Sequence, residues 1–94
     1  MSRVVYRYPL QLNFRVPQTI EIERDAKIIR ADYVNGEPSV WAIVVPGQMK
    51  EKRTFMIRGT GSEFGWNEEY LGTFYTQEVP GGFKYVWHVF EVKQ

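Results

Sequence analysis

Residues 27–45 read KIIRADYVNGEPSVWAIVV and place the dipeptide Asn35–Gly36 between two runs of β-branched and aromatic residues. Asn-Gly supplies the positive φ angles of tight hairpin turns, so this stretch predicts an antiparallel hairpin with arms at 27–34 and 39–45. Because Glu37 and Pro38 follow the dipeptide, we expect a four-residue or bulged loop instead of a two-residue turn. The hairpin favours an all-β fold.

The same pattern recurs along the rest of the chain. Segments in which apolar and polar residues alternate are separated by Gly, Pro or Asn, which predicts five further strands at residues 3–10, 18–23, 52–58, 71–78 and 83–92. In the second of these, the isoleucines should face inward while Glu21 and Glu23 face water. Seven antiparallel strands fit a single β domain over residues 1–94, built as a sandwich or a small barrel.

Composition excludes several classes of function. The 94 residues contain no cysteine and one histidine, which excludes disulfides, thiol catalysis and metal sites built on cysteine or on several histidines. The longest apolar run, 40–45, is far shorter than the roughly 20 residues of a membrane-spanning helix. We therefore expect a soluble, cytoplasmic protein that has no membrane partner, no metal and no cofactor.

The charge balance argues against an electrostatic nucleic-acid binder. Twelve Lys and Arg against eleven Asp and Glu give a net charge of +1, without the basic excess of such proteins. Residues 1–58 nevertheless carry ten basic and six acidic side chains, and residues 59–94 carry two and five. Arginines near the start alternate with aromatic residues. This pattern occurs on surfaces that stack on the bases of single-stranded nucleic acid, and also in ordinary β-strands with one solvent-exposed face. We do not expect nucleic acid as a partner.

Two of the predicted strands, at 40–45 and 85–90, are apolar on both faces. In a two-layer domain of this size a strand normally has one face on the core and one in water, so a second apolar face needs a cover. A partner subunit would provide it, with Trp41, Trp87 and His88 at the interface of a homo-oligomer. Alternatively, these are central strands capped by the N-terminal segment or by a glycine-rich loop.

His88 is the candidate base, yet its surroundings favour a structural role. Its neighbours in the strand are apolar, so we interpret it as a core or interface residue hydrogen-bonded through one ring nitrogen, with Glu78 or Glu91 as partner. The adjacent carboxylates of Glu68 and Glu69 lie in a polar loop and are interpreted as solvated acids. Since no serine stands in a nucleophile elbow either, we do not expect an enzyme.

Residues 58–65, RGTGSEFG, have the character of a ligand-binding loop. Glycines let backbone amides approach an anion, but the spacing matches neither the dinucleotide fingerprint nor the P-loop, so a plain turn also fits. Aromatic residues on the same loop are typical binding anchors. The candidate residues for binding a ligand or partner are Arg58, Gly59, Thr60, Gly61, Ser62, Phe64 and Trp66.

Motifs spread along the chain resemble a family of small uncharacterised proteins of bacteriophages and prophages. They include YRYPL at 6–10, VWA at 40–42 after the hairpin, GTG at 59–61 and WHVFE at 87–91. The resemblance covers residues 5–91 and implies a phage gene product that acts in the cytoplasm of the infected bacterial host. It assigns no catalytic residue.

Three functions are consistent with these observations. We expect a non-enzymatic accessory protein that inhibits a host or defence factor by binding it. Alternatively, the Gly59–Gly65 loop sequesters a nucleotide-like small-molecule signal, with Arg58 on the phosphate and an aromatic ring on the base. A third interpretation is a virion or assembly component that presents its sheet edges to other proteins.

Overall fold

The computed structural model describes residues 2–77 and 84–93. Seven strands and no helix lie within them, and every strand pairing is antiparallel, which confirms the predicted all-β class. The connection between the last two predicted strands, residues 79–82, lies outside the described residues. In chain order the strands are β1 Val4–Pro9, β2 Gln18–Glu23, β3 Lys27–Val34, β4 Glu37–Val44, β5 Lys50–Gly59, β6 Glu68–Gln77 and β7 Lys84–Val92.

The strands form two sheets that pack face to face. The three-stranded sheet has the order β1-β4-β3 and the four-stranded sheet the order β2-β5-β7-β6. The core lies between them and consists of Leu10, Ile22, Ala26, Ala31, Val40, Ala42, Val44, Phe55, Ile57, Phe74 and Val89. Both strands that are apolar on two faces, β4 and β7, are central strands of their sheets. Among the described residues there is no helix long and apolar enough to cross a membrane.

The hairpin between β3 and β4 is tighter than predicted. Val34 pairs with Glu37, so only Asn35 and Gly36 form the turn, with φ angles of 50° and 82°. Positive φ at both central residues is the signature of a type I′ turn, whose twist matches that of the flanking strands. The expectation of a longer loop was wrong because Pro38 is accommodated at the start of β4, where it pairs with no residue of β1.

At the end of β2, Glu23 departs from the predicted alternation. Glu21 is exposed and Ile22 is buried, as expected, but the side chain of Glu23 is also buried. It accepts a hydrogen bond of 2.5 Å from the hydroxyl of Tyr8 in β1, on the other sheet. That bond holds the pKa of Glu23 below its ordinary value. The carboxylate thus joins the two sheets, which a pattern confined to one strand could not indicate.

Candidate functional site

The glycine-rich loop between β5 and β6 folds over the outer face of the four-stranded sheet. Strand register places Met56, Phe90 and Tyr70 in one row across that face. Phe64 of the loop stacks on Phe90 with ring centroids 4.5 Å apart, and Tyr70 meets the same ring edge to face at 5.8 Å. Met56 and Phe90 are consequently buried. The outer face of β7 therefore receives its cover from the chain's own loop.

The inner side of β7 has an intramolecular cover as well. Phe14, in the connection between β1 and β2, stacks on Trp87 with centroids 5.3 Å apart. Both caps that we considered, the N-terminal segment and the glycine-rich loop, are thus present on β7. These contacts cover the strand from Trp87 onward, whereas Tyr85 and Val86 remain exposed. Homo-oligomerisation through Trp41, Trp87 and His88 stays a prediction, and Trp41 lies on the opposite outer face of the sandwich.

A groove of about 290 Å³ opens between the loop and the outer face of the four-stranded sheet. The structure brings six of the seven predicted binding residues and His88 to this groove, whereas Trp66 stands outside it. Sequence reasoning missed Phe90, which strand register places opposite the loop aromatic Tyr70. The groove is lined by Arg58, Gly59, Thr60, Gly61, Ser62, Phe64, Tyr70, His88 and Phe90.

His88 is held in the groove by hydroxyl groups on both sides. Its Nε2 lies 2.9 Å from Oγ1 of Thr60, and its Nδ1 lies 2.9 Å from Oγ1 of Thr73. The hydroxyl of Tyr70 lies 2.5 Å from the same Thr73 oxygen. Hydroxyls both donate and accept, so they orient the imidazole in either tautomer. The chain Tyr70–Thr73–His88–Thr60 presents polar groups along an otherwise aromatic wall.

The predicted pairing of His88 with Glu91 was wrong. Residues three apart on a strand point to opposite faces, and Glu91 turns inward, where it pairs with Arg53. The alternative partner, Glu78, lies outside the described residues. Among those that are described, no carboxylate is hydrogen-bonded to the imidazole.

Arg58 is committed to an ion pair that anchors the loop. Its Nε and Nη2 donate to the two carboxylate oxygens of Glu68 at 2.8 and 2.9 Å, and the amide of Gly65 donates to Glu68 at 2.9 Å. The hydrogen bonds from Arg58 hold the pKa of Glu68 below its ordinary value, and its side chain is only 7% exposed. Glu68 is therefore a buried structural acid and not a solvated one. Glu69 is exposed, 3.2 Å from the ammonium of Lys93.

Acidification should release this anchor. The pKa of Glu68 is lower in the folded protein than its ordinary 4.5, so the ion pair contributes fully above pH 4.5 and is lost as the pH falls through the folded-state value. We expect Glu68→Gln to lower the free energy of unfolding by about 2 kcal/mol at pH 7 and by less at pH 3. Thermal melts across this range, with the exposed neighbour variant Glu69→Gln as control, measure the difference. Parallel pH curves for the two variants would contradict the prediction.

Comparisons with known proteins place the chain in a family. A comparison with curated proteins and one with solved structures each found no match. A family model, described as Domain of unknown function (DUF7352), matches residues 1–94. Since the match extends over every residue of the sequence, the chain belongs to the DUF7352 family.

Proposed function

We propose that this chain is a non-enzymatic binding protein and that its glycine-rich loop, with the adjoining groove, is the site that receives a partner protein. The observation that supports the proposal most strongly is the exposure of Trp66, which is 99% exposed although it belongs to a loop that is anchored to the sheet. A fully exposed indole leaves a large apolar surface in water, and tryptophan is among the commonest anchors of protein interfaces. Phe64 and Tyr70, both more than half exposed, add aromatic surface in the adjoining groove.

The loop is held in place before any partner arrives. The amide of Ser62 donates to the carbonyl of Gly59 at 3.1 Å, and that of Glu68 donates to Gly65 at 3.1 Å. Stacking of Phe64 on Phe90 and the Arg58 ion pair add two side-chain anchors. A loop that is already ordered loses less conformational entropy on binding. This preorganisation favours a recognition surface.

The chemistry of the groove favours a protein over an anionic ligand. A phosphate would need the guanidinium of Arg58, but both carboxylate oxygens of Glu68 already occupy it. The remaining surface is mainly aromatic, which suits apolar side chains of a partner. The resemblance of the sequence to small phage proteins implies that the partner is a host or defence protein in the cytoplasm of the infected bacterium. Binding would then inhibit that protein.

A nucleotide-like small molecule is the second candidate ligand. The groove, at about 290 Å³, is close to the lower end of the size range of small-molecule sites. Its rim carries the hydroxyls of Thr60 and Ser62 and the imidazole of His88 beside the rings of Phe64 and Tyr70. Polar groups of this kind next to stacked rings would bind a base better than they would bind a phosphate.

Truncation of the exposed indole tests the proposal. We expect Trp66→Ala to weaken partner binding by about 2 kcal/mol, roughly thirtyfold, without lowering stability. Met49→Ala is the matched control, because it removes an exposed apolar side chain on the β4–β5 connection instead. Partners captured from bacterial lysate, with and without phage infection, would be identified by protein and small-molecule mass spectrometry and titrated by calorimetry.

The titrations separate the two candidates. Equal affinities for Trp66→Ala and Met49→Ala would contradict the protein-binding proposal. A nucleotide that binds at micromolar concentration and is lost in Tyr70→Leu, which removes a ring that lines the groove, while Trp66→Ala still binds it, would establish the small-molecule alternative.

A further inference from the structure

The outer face of the three-stranded sheet carries an aromatic ring between two cations. Strand register pairs Trp41 of β4 directly with Arg7 of β1 and with Arg30 of β3. These side chains point away from the core, since the alternate residues Val40 and Ala42 are completely buried. Trp41 itself is half-buried and lines a pocket of about 360 Å³ beside Arg30. The row is thus a central indole flanked by a guanidinium on either side.

The next row along the same face is apolar and ends in a lysine. Val5, Ile43 and Lys27 pair in register, and the β-bulge in β3 leaves Ile29 beside them, 48% exposed. Half-exposed aliphatic side chains around a tryptophan make a continuous apolar strip. This strip lies on the face opposite the glycine-loop groove, so it is independent of the function proposed above.

Unpaired cations gather at one end of this strip. Arg3, Arg24 and Lys27 line a cleft of about 220 Å³ that also contains Asp25 and Ile43. None of the three cations forms an ion pair within residues 2–77 and 84–93. With a single carboxylate among them, they leave the cleft positively charged.

The acids of this face lie at its other end. Glu37 lies 3.1 Å from Arg7, and Asp32 contacts Arg30. Exposed ion pairs of this kind contribute little stability, so another anion can take the place of the carboxylates. The net charge of the whole chain is close to zero and therefore does not reveal that the cations and the acids lie at opposite ends of this face. Only the sheet register shows which charges share a face.

We propose that the outer face of the three-stranded sheet binds single-stranded nucleic acid, with Trp41 stacking on a base and Arg3, Arg24 and Lys27 contacting phosphates. Aromatic rings on a sheet surface, flanked by basic side chains, are how single strands are bound without sequence readout. A duplex would hide its base faces from the indole. A polyanion complements the three cations of the cleft, which have one carboxylate, that of Asp25, beside them.

Fluorescence anisotropy tests the proposal with labelled single-stranded oligonucleotides of about 12 nucleotides, DNA and RNA, and a duplex of the same length. We expect the intact chain to bind the single strands and Trp41→Leu to bind them about 5- to 150-fold more weakly. Lys27→Gln and Arg24→Gln should each reduce the slope of log K against log salt by about 0.7. Lys52→Gln removes an exposed cation from β5 in the other sheet and is the matched control.

The outcomes are distinguishable. The two cleft variants alter exposed side chains, so they decide the question even if Trp41→Leu melts at a lower temperature. Lack of binding at about 50 mM salt, tighter binding of the duplex, or equal slopes for Lys27→Gln and Lys52→Gln would overturn the proposal. If the intact chain forms a dimer that binds no oligonucleotide and that dissociates on the Trp41→Leu substitution, the occupant of this face is a second copy of the chain. That result would also overturn the proposal.

Discussion

Replacing Arg53 with alanine is expected to lower the free energy of unfolding by about 3 to 5 kcal/mol. Its guanidinium donates to Glu91 at 2.5 and 2.8 Å and to the carbonyl of Ala26 at 2.6 Å. The two side chains are only 14% and 6% exposed. Without Arg53, Lys93, whose ammonium lies 3.3 Å away and is half exposed, is the remaining charged partner of the buried carboxylate among the described residues. The loss follows because the carboxylate would stay buried without its two shortest charge-assisted hydrogen bonds.

The pH dependence of this loss has a definite sign. Burial is the largest single effect on the pKa of Glu91 and raises it, but the hydrogen bonds and charge of Arg53, together with those of Lys93, hold the pKa below its ordinary value. In Arg53→Ala the burial effect would remain without the bonds from Arg53, so Glu91 would take up a proton more readily. The difference between the variant and the parent protein should therefore shrink as the pH falls through the raised pKa of Glu91 in the variant towards its lowered pKa in the parent.

Urea titrations measured at pH 7 and pH 4 provide the test. Lys52→Ala, an exposed neighbour without an ion pair, should change stability by no more than about 0.5 kcal/mol. The double variant Arg53→Met/Glu91→Leu should recover most of the loss, because apolar residues of similar volume avoid the unpaired charge. An Arg53→Ala variant as stable as Lys52→Ala would show that this pair, which links β5 and β7 within one sheet, contributes no measurable stability.

Replacing Gly72 with alanine is expected to cost about 3 kcal/mol, at the upper end of the range for overpacking. A Cβ atom at this position in β6 would lie 2.8 Å from the carbonyl oxygen of Ala31 and 3.1 Å from its Cβ. Ala31 belongs to β3 in the other sheet, and its backbone cannot move without shifting that strand. The glycine therefore sets the distance between the two sheets along this edge.

Gly59→Ala is the control for this substitution. Its added Cβ would lie 3.8 Å from a ring carbon of Trp87, which is an ordinary van der Waals contact. We expect Gly59→Ala to melt within a few degrees of the parent and Gly72→Ala to melt at least about 10 °C lower. Similar melting temperatures for the two variants would show that the sheets can separate locally to accept the methyl group.

The strands and the turn between β3 and β4 follow from local rules that are visible in the sequence. Alternation with a period of two predicts where a chain of this composition is extended, and Asn35–Gly36 predicts positive φ angles. The loop after β5 was also predictable as the place where aromatic and donor side chains meet. Each of these signals involves residues within a few positions of one another, so a single sequence contains them.

Pairing between residues of different strands was decided by the tertiary structure alone. Nothing in the spacing of Glu23 predicts that Tyr8 will reach it, and nothing near Glu68 distinguishes it from Glu69 until Arg58 lies opposite. Trp41 likewise became a stacking candidate only when register placed an arginine on each side of it. Long-range strand pairing sets these neighbours, and it depends on the packing of the whole core and not on any short segment. The sequence by itself therefore determined which residues form strands and turns, whereas the tertiary structure decided which charges are buried and which faces can bind.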